Sequence, residues 1–423
     1  MASASMLPAW NAEVALAVTV ALAVLVGDRR PAWQRLVGVA GLALAVGLAF
    51  WSRPAAAVTP LGMHFVVDSL VPWPRLLICG MSLTAVTAMR GRDGALTPAL
   101  ALATLGLLLL IQATTLTGLL LGLTLAGVGL TLVRGGAGVT SAVGFAMVAF
   151  GGVLWCGLGG DIDFAAARNG LAIRATLPTL AVLFPLALLC CGLLLTVLTP
   201  WRSGAIAAPP AAAAWLATAP LPVLVLVCHR LLIPLPTAST LLAVPWVLLA
   251  LGGLLTVGGL IVALSRDDLT GRLLAAAPAM LGLAWSGLSL LNSSVAREAA
   301  LATALLAAPV LLAALLLLAG GGPRRLLAGG VTCALMTLAA VPPLPGWRPR
   351  LDLCDGLLAG EAWLSCGLVG LGTLLGAMVF LAPLVGLWRD RETLTEPPAI
   401  NPLGRALAWC ILGVALIRGL GFL

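Results

Sequence analysis

Long apolar runs follow one another along almost the whole chain, separated by short segments rich in arginine, aspartate, glycine or proline. About 20 apolar residues suffice for an α-helix to cross a bilayer, and shorter or broken helices are tolerated inside a membrane bundle. The pattern predicts an all-α membrane protein with about 14 transmembrane helices. The predicted spans are 12–27, 35–51, 70–89, 96–111, 115–133, 139–158, 177–198, 208–232, 239–264, 272–291, 299–318, 326–344, 356–388 and 403–422.

Composition excludes a water-soluble globular protein. Hydrophobic residues make up 61% of the 423 residues, charged residues only 9%, and the mean hydropathy is +1.13. The connections between apolar runs are too short for an aqueous domain, so we predict one polytopic membrane domain over residues 1–423. The longest polar stretches, 161–174 and 389–401, are predicted to be surface loops. Any nucleotide or redox cofactor is expected on a partner rather than on this chain.

The basic residues are all arginine, and the chain has neither lysine nor tyrosine. Arginine stays protonated in proteins, whereas a buried lysine can release its proton, so one common group of membrane proton relays is missing. The net charge of +8 is spread over loops between apolar runs, which argues against nucleic-acid binding. Most loop arginines, such as Arg90 and Arg266, follow odd-numbered spans. The positive-inside rule then predicts that both termini lie on the non-cytoplasmic side of the membrane.

Cysteine and histidine give no support for a metal site. The nine cysteines lie mostly inside apolar runs and never form a CxxC pair, which is typical of small buried hydrophobic residues. Two histidines without a nearby carboxylate cluster do not make a ligand set. Residues 1–11 have no basic region before the first apolar run, so we expect no cleavable signal peptide and predict that the first helix directs its own insertion.

Motifs in the first half of the chain resemble those of the antiporter-like subunits of respiratory complex I. Residues 64–70, HFVVDSL, followed by Arg75, resemble the VVDxFAxFFK motif of the third helix, with arginine in place of lysine. Residues 121–125, LGLTL, resemble the LGLEL motif of the fifth helix, with Thr124 in place of glutamate.

The resemblance continues across the proline-rich middle of the chain. Residues 200–221 are similar to the PFHxW…GAPTPV…ATAPK pattern, with a shorter connection. In this alignment Leu195 and Leu221 replace the lysines of the seventh and eighth helices. Residues 263–275 are similar to ALxQxxxKRLLAYSS, with Arg272 kept and Gly271 in place of the lysine.

The last motif lies near the twelfth predicted span. Residues 340–347, AVPPLPGW, followed by Arg350, resemble the GIPPLxGFxxK motif at a helix break. Among related proteins, which include Mrp antiporters and proton-conducting transporters, subunit N of NADH-quinone oxidoreductase resembles the chain best. The resemblance implies two inverted repeats with broken helices and an antiporter-like core at roughly 96–390. It also implies partners in the membrane arm that carry quinone, iron-sulfur clusters and a flavin or nickel-iron site.

A proton path needs titratable groups that face the bundle interior. Thr124, Leu195, Leu221 and Gly271 stand where the resembling family carries its relay, and none of them titrates near neutral pH. The remaining proton-path or fixed-charge candidates are Arg75, Arg350, Asp68, Thr124, Arg272, His229 and Glu361. The arginines can act only as fixed charges. Arg75 is expected to snorkel or pair with Asp68, and Arg350 to cap carbonyls freed by the proline break or pair with Asp352 or Asp355.

Three functions fit these residues. The preferred one is a mainly structural, subunit N-like component of a complex I-like oxidoreductase, with impaired or absent proton translocation. The second keeps translocation through a rerouted relay that uses Glu13, His229 or Glu361. The third is a stand-alone secondary carrier in which Arg75 or Arg350 binds an anionic solute.

Overall fold

The computed structural model describes residues 10–27, 30–51, 59, 64–135, 139–173, 178–197, 208–232, 244–289, 293–320, 324–389 and 400–419. These residues are almost entirely helical, which confirms the all-α prediction. The helices are α1 (Asn11–Val26), α2 (Pro31–Trp51), α3 (Pro72–Ala88), α4 (Thr97–Gln112), α5 (Leu116–Arg134), α6 (Val139–Gly159), α7 (Phe164–Ile173), α8 (Thr179–Val197), α9 (Pro210–Thr218), α10 (Pro220–Leu232), α11 (Val244–Leu264), α12 (Leu269–Leu288), α13 (Ser294–Gly320), α14 (Arg324–Leu338), α15 (Trp347–Ala359), α16 (Trp363–Arg389) and α17 (Pro402–Gly419).

Ten stretches of helix within the described residues are long and apolar enough to cross a membrane. One of them, Pro210–Leu232, joins α9 and α10, and another, Gly91–Gln112, joins a short 3-10 turn to α4. The four remaining predicted spans overlap α1, α3, α12 and α14. Every predicted span therefore has a helix in the described structure, and the chain is a multi-pass membrane protein.

Two sequence interpretations were wrong in detail. The polar stretch 161–174, predicted to be a loop, contains α7, whose first turn is closed by the Asp163 carboxylate accepting the N–H groups of Ala165 and Ala166 at 2.9 Å. An aspartate at this position satisfies amides that a helix start leaves without partners. The predicted span 356–388 is divided by a turn, so its first residues belong to α15 and α16 begins only at Trp363.

The described chain divides into two compact units. Unit 1 comprises residues 1–87, 91–199 and 226–244, and unit 2 comprises residues 88–90, 200–225 and 245–423. In unit 1, α4 packs along α5 and α6 packs along α8. In unit 2, α13 contacts α9, α12, α14, α15 and α17. Contacts with five helices explain why most side chains of α13 are buried.

Glycine sets the separation of α4 and α5 in unit 1. A Cβ atom on Gly106 would lie 2.1 Å from the backbone nitrogen of Ala126, and one on Gly129 would lie 2.4 Å from that of Ala103. Because lipid supplies no hydrophobic driving force between helices, such close backbone contact is a main source of attraction in a membrane bundle. These glycines therefore hold α4 against α5.

Candidate functional site

The first two predicted relay positions lie on exposed surfaces of unit 1. Thr124 is exposed on α5, and its hydroxyl donates to the carbonyl oxygen of Leu120 at 2.7 Å within the same helix. Leu195 on α8 is 38% exposed. Neither side chain can exchange a proton near neutral pH, and neither is enclosed by the helices of unit 1.

The third relay position is deeply buried. Leu221 lies in the first turn of α10 and has no exposed surface. The most apolar 18 residues of the stretch from Pro210 to Leu232 are all buried. A buried leucine in this setting stabilises packing and offers no group that could pass a proton.

Gly271 and Arg272 belong to the start of α12. The Gly271 amide donates to the Asp268 carboxylate, which caps the helix, and Arg272 Nε donates to the carbonyl oxygen of Arg266 at 2.6 Å. Both residues thus take part in local contacts at one helix end. Asp268 gives an N-cap of the kind that satisfies otherwise unpaired amides.

Arg75 forms a buried ion pair that the sequence did not reveal. Its side chain on α3 has no exposed surface, and its Nη2 donates to Glu13 Oε2 on α1. Glu13 is 1% exposed, and its second carboxylate oxygen accepts a hydrogen bond of 2.6 Å from Gln112 Nε2 on α4. The predicted pairing of Arg75 with Asp68 is therefore wrong.

The signal for this cluster was present in the sequence. Glu13 and Gln112 are polar residues inside strongly apolar helices, where an unpaired charge or amide is costly. Each of them had to find a polar partner, but the helical pattern alone does not tell which helices meet. Three helices converge here, so the cluster joins α1, α3 and α4 of unit 1.

Asp68 pairs instead with Arg230. Asp68 Oδ1 accepts a hydrogen bond of 2.9 Å from Arg230 Nη2 near the end of α10, and the two side chains are only partly exposed. Arg168 on α7 donates from Nη1 to the Arg230 carbonyl oxygen at 3.4 Å. Burial lowers the pKa of Arg168 below its ordinary value, although the nearby Asp163 acts in the opposite direction. Hydrogen bonds thus connect Asp68, Arg230 and Arg168 in unit 1.

The two histidines lie close to this charged group. His64 Nδ1 is 2.9 Å from Thr115 Oγ1, and the Thr115 hydroxyl oxygen also accepts the Gly118 amide at the start of α5. His229 precedes Arg230 in the last turn of α10 and is half-buried. His229 thus lies at a helix end, and His64 lies outside the helices and contacts the N-cap residue of α5.

Arg350 is a buried cation in unit 2, and its capping role is confirmed. It lies in α15, is 5% exposed, and donates from Nη2 to the carbonyl oxygen of Leu338, the last residue of α14. The same nitrogen is 3.6 Å from Met280 Sδ on α12. Asp352 contacts exposed Arg348 instead, at 4.0 Å. Arg350 therefore satisfies a carbonyl that the break between α14 and α15 leaves without a helical partner.

Glu361 differs from its predicted setting. It is exposed, has a left-handed φ of 56°, and lies in the turn between α15 and α16, two residues before α16 begins. The prediction that it occupies an early helical turn is wrong, because the sequence does not reveal the division of this span.

The described residues contain no group of three or more histidine, cysteine or acidic side chains that could hold a metal ion. All nine cysteines are free thiols, and four of them are buried while Cys410 is exposed. Eight of the nine are buried or half-buried, which agrees with their interpretation as small hydrophobic side chains.

No family model matches the chain, and no curated protein matches it. Three solved assemblies contain chains of similar structure. A chain of respiratory complex I from Thermus thermophilus has a TM-score of 0.72 and 20% identity, with 97% of this chain and 97% of that chain covered. A chain of the Mrp complex from Dietzia sp. DQ12-45-1b has a TM-score of 0.76 and 16% identity, with coverage of 99% and 95%.

A chain of the archaeal membrane-bound sulfane sulfur reductase has a TM-score of 0.76 and 15% identity, with coverage of 98% and 94%. All three chains are covered over nearly their full lengths, so the likeness concerns the whole architecture rather than a shared helical hairpin. The chain therefore has the fold of these chains of respiratory complex I, the Mrp complex and the sulfane sulfur reductase.

Proposed function

We propose that this chain is a subunit N-like membrane-arm component of a complex I-like NADH:quinone oxidoreductase or a related membrane-bound oxidoreductase. Its role is mainly structural, with proton translocation impaired or absent. It occupies the place of an antiporter-like subunit in a bacterial inner membrane, with both termini on the non-cytoplasmic side. Quinone, iron-sulfur clusters and a flavin or nickel-iron site belong to its partner subunits.

The observation that carries this proposal is the chemistry of the relay positions. A chain of proton carriers needs side chains whose pKa can cross the ambient pH, close enough to exchange protons directly or through water. Thr124 and Leu195 are exposed, Leu221 is buried among apolar residues, and Gly271 has no side chain. A proton cannot be held at any of these four positions.

The charges that remain are poorly suited to replace the relay. Arg75 and Arg350 are guanidinium groups, which keep their protons at every physiological pH. Glu13, a titratable group of the rerouted relay, is held in an ion pair with Arg75, and Glu361 is exposed in a turn. Both oxygens of the Glu13 carboxylate already have partners, Arg75 Nη2 and Gln112 Nε2. These contacts support the structural role over the rerouted relay.

Co-purification tests membership of an assembly. We expect the tagged chain, extracted in a mild detergent, to bring down several membrane subunits and iron-sulfur proteins. Recovery of the chain alone would contradict the proposed assembly and favour a stand-alone carrier. Uptake of an anionic solute by proteoliposomes that contain only this chain would favour that carrier directly.

Proton-to-electron stoichiometry tests translocation separately. In vesicles containing the assembled complex, we expect the stoichiometry to stay unchanged when His229→Ala and Glu361→Gln are combined, because neither side chain lies on a working path. Thr124→Val is a matched control that removes only an exposed hydroxyl. A lower stoichiometry in the double variant, with assembly intact, would favour the rerouted relay.

A further inference from the structure

Arg350 is a charged side chain buried in unit 2 without a carboxylate beside it. No described carboxylate of unit 2 lies within 4.0 Å of its guanidinium, since Asp352 contacts Arg348. Its Nη2 is used by the Leu338 carbonyl oxygen, whereas Nη1 has no hydrogen-bond partner among the described residues. An ion in such surroundings is costly unless another charge compensates it.

The helix end beside Arg350 compensates the charge only in part. Leu338 closes α14, and the carboxyl end of a helix carries roughly half a negative charge. About half of the positive charge therefore still lacks a counterpart. A ligand that balances the remainder has to be negative.

A small cavity adjoins the guanidinium. Its volume is about 20 Å³, and its wall includes Arg350 together with Thr303 of α13 and Thr337 of α14. A space of this size holds one particle of about the size of water. Among negative ligands, a monatomic anion comes closest to this size.

The two threonines can adapt to such an ion. Thr303 and Thr337 each donate to a carbonyl oxygen in the preceding turn of their own helix, both at 2.8 Å. A hydroxyl hydrogen rotates freely between acceptors, so either group can turn its O–H toward an anion in the cavity. Threonine hydroxyls and one guanidinium N–H then form a polar wall within otherwise apolar helices.

We propose that Arg350, Thr303 and Thr337 form a binding site for a single chloride-sized halide ion. The halide accepts a hydrogen bond from Arg350 Nη1 and neutralises the part of the charge that α14 leaves uncompensated. Because Arg350 links α12, α14 and α15, a bound halide stabilises the break between α14 and α15. The site does not depend on the proposed role in an oxidoreductase, since all its groups lie in unit 2 of this chain.

Thermal unfolding at constant ionic strength tests the site. We expect the full chain in detergent to unfold about 2 °C higher in sodium chloride or bromide than in sodium gluconate, as for a ligand at roughly ten times its dissociation constant. Arg350→Gln should abolish this difference. Arg348→Gln is the matched control, because Arg348 is 80% exposed two residues away, and it should retain the difference.

Equal unfolding temperatures of the wild-type chain in chloride and gluconate would overturn the proposal and leave water as the occupant. A halide effect that persists in Arg350→Gln would overturn it too, because the ion would then bind elsewhere.

Bromide provides a direct measurement that needs no variant. Diffraction at the bromine absorption edge, from crystals of the wild-type chain or its complex grown in bromide, should show an anomalous peak within about 3.5 Å of Arg350 Nη1. Peaks confined to the protein surface would mean an adventitious ion only and would refute the site. This test remains decisive if Arg350→Gln does not fold.

Discussion

The buried ion pair between Glu13 and Arg75 predicts a large and specific loss of stability when one partner is removed. Glu13→Gln keeps the size of the side chain and its contact with Gln112, but it leaves Arg75 charged with no exposed surface. Removing one partner of a buried ion pair typically costs about 3–5 kcal/mol, because the other charge stays uncompensated. For a chain of this size we expect the unfolding temperature to fall by roughly 5 °C.

The paired variant separates this effect from lost packing. Replacing both residues, as Glu13→Gln with Arg75→Met, removes the uncompensated charge, so the double variant should be more stable than Glu13→Gln alone. Labelling of Cys79 itself by a thiol reagent can follow unfolding, since Cys79 lies buried one helical turn after Arg75, whereas the exposed Cys410 reacts in the folded chain as well. Asp68→Asn, which affects a partly exposed pair, should lower the unfolding temperature much less.

Two outcomes would refute this reasoning. If Glu13→Gln unfolds at the wild-type temperature, Arg75 is not buried as an ion in the folded chain. If the double variant is no more stable than Glu13→Gln alone, an uncompensated charge on Arg75 is not the cause of the loss.

The other predictions concern packing and the relay positions. Thr124→Val should change the free energy of unfolding by no more than about 0.5 kcal/mol, because it removes only an exposed hydroxyl that is bonded within its own helix. A larger loss of stability would indicate that this hydroxyl makes a buried contact. Leu221→Lys should prevent stable expression or lower stability by several kcal/mol, since a fully buried site would receive a charge; normal expression yield and stability would indicate access to water. Gly106→Leu should separate α4 from α5 and reduce the folded yield on size-exclusion chromatography, whereas Gly157→Ala, with open space around it, should not. Equal yields for these two glycine variants would contradict the close packing.

The membrane architecture could be predicted from sequence because the bilayer imposes a strong, local requirement. Every backbone polar group must be satisfied within its own helix, so a long apolar run has one dominant structure. All fourteen predicted spans overlap helices for this reason. The capping role of Arg350 was also predictable, since a proline break frees carbonyl groups close to it in sequence.

The break between α15 and α16 within the predicted span 356–388 was harder to predict from sequence. Residues 360–362 form a turn without a strong breaker such as proline, and Gly360 alone does not end a helix in an apolar run. The same holds for α7, whose polar composition resembles that of a loop although the Asp163 cap and buried Phe164 and Leu171 favour a helix. In both places the contacts made by neighbouring helices decide the outcome.

The sequence by itself determined the class of protein and the helices that its long apolar runs form, because both depend only on residue type and local order. Tertiary structure alone decided the partners. Arg75 binds Glu13, 62 positions away, rather than Asp68, and Asp68 binds Arg230, 162 positions away. Side chains far apart in sequence meet only once helices pack, and the cost of an unpaired charge in a membrane then selects which of them pair.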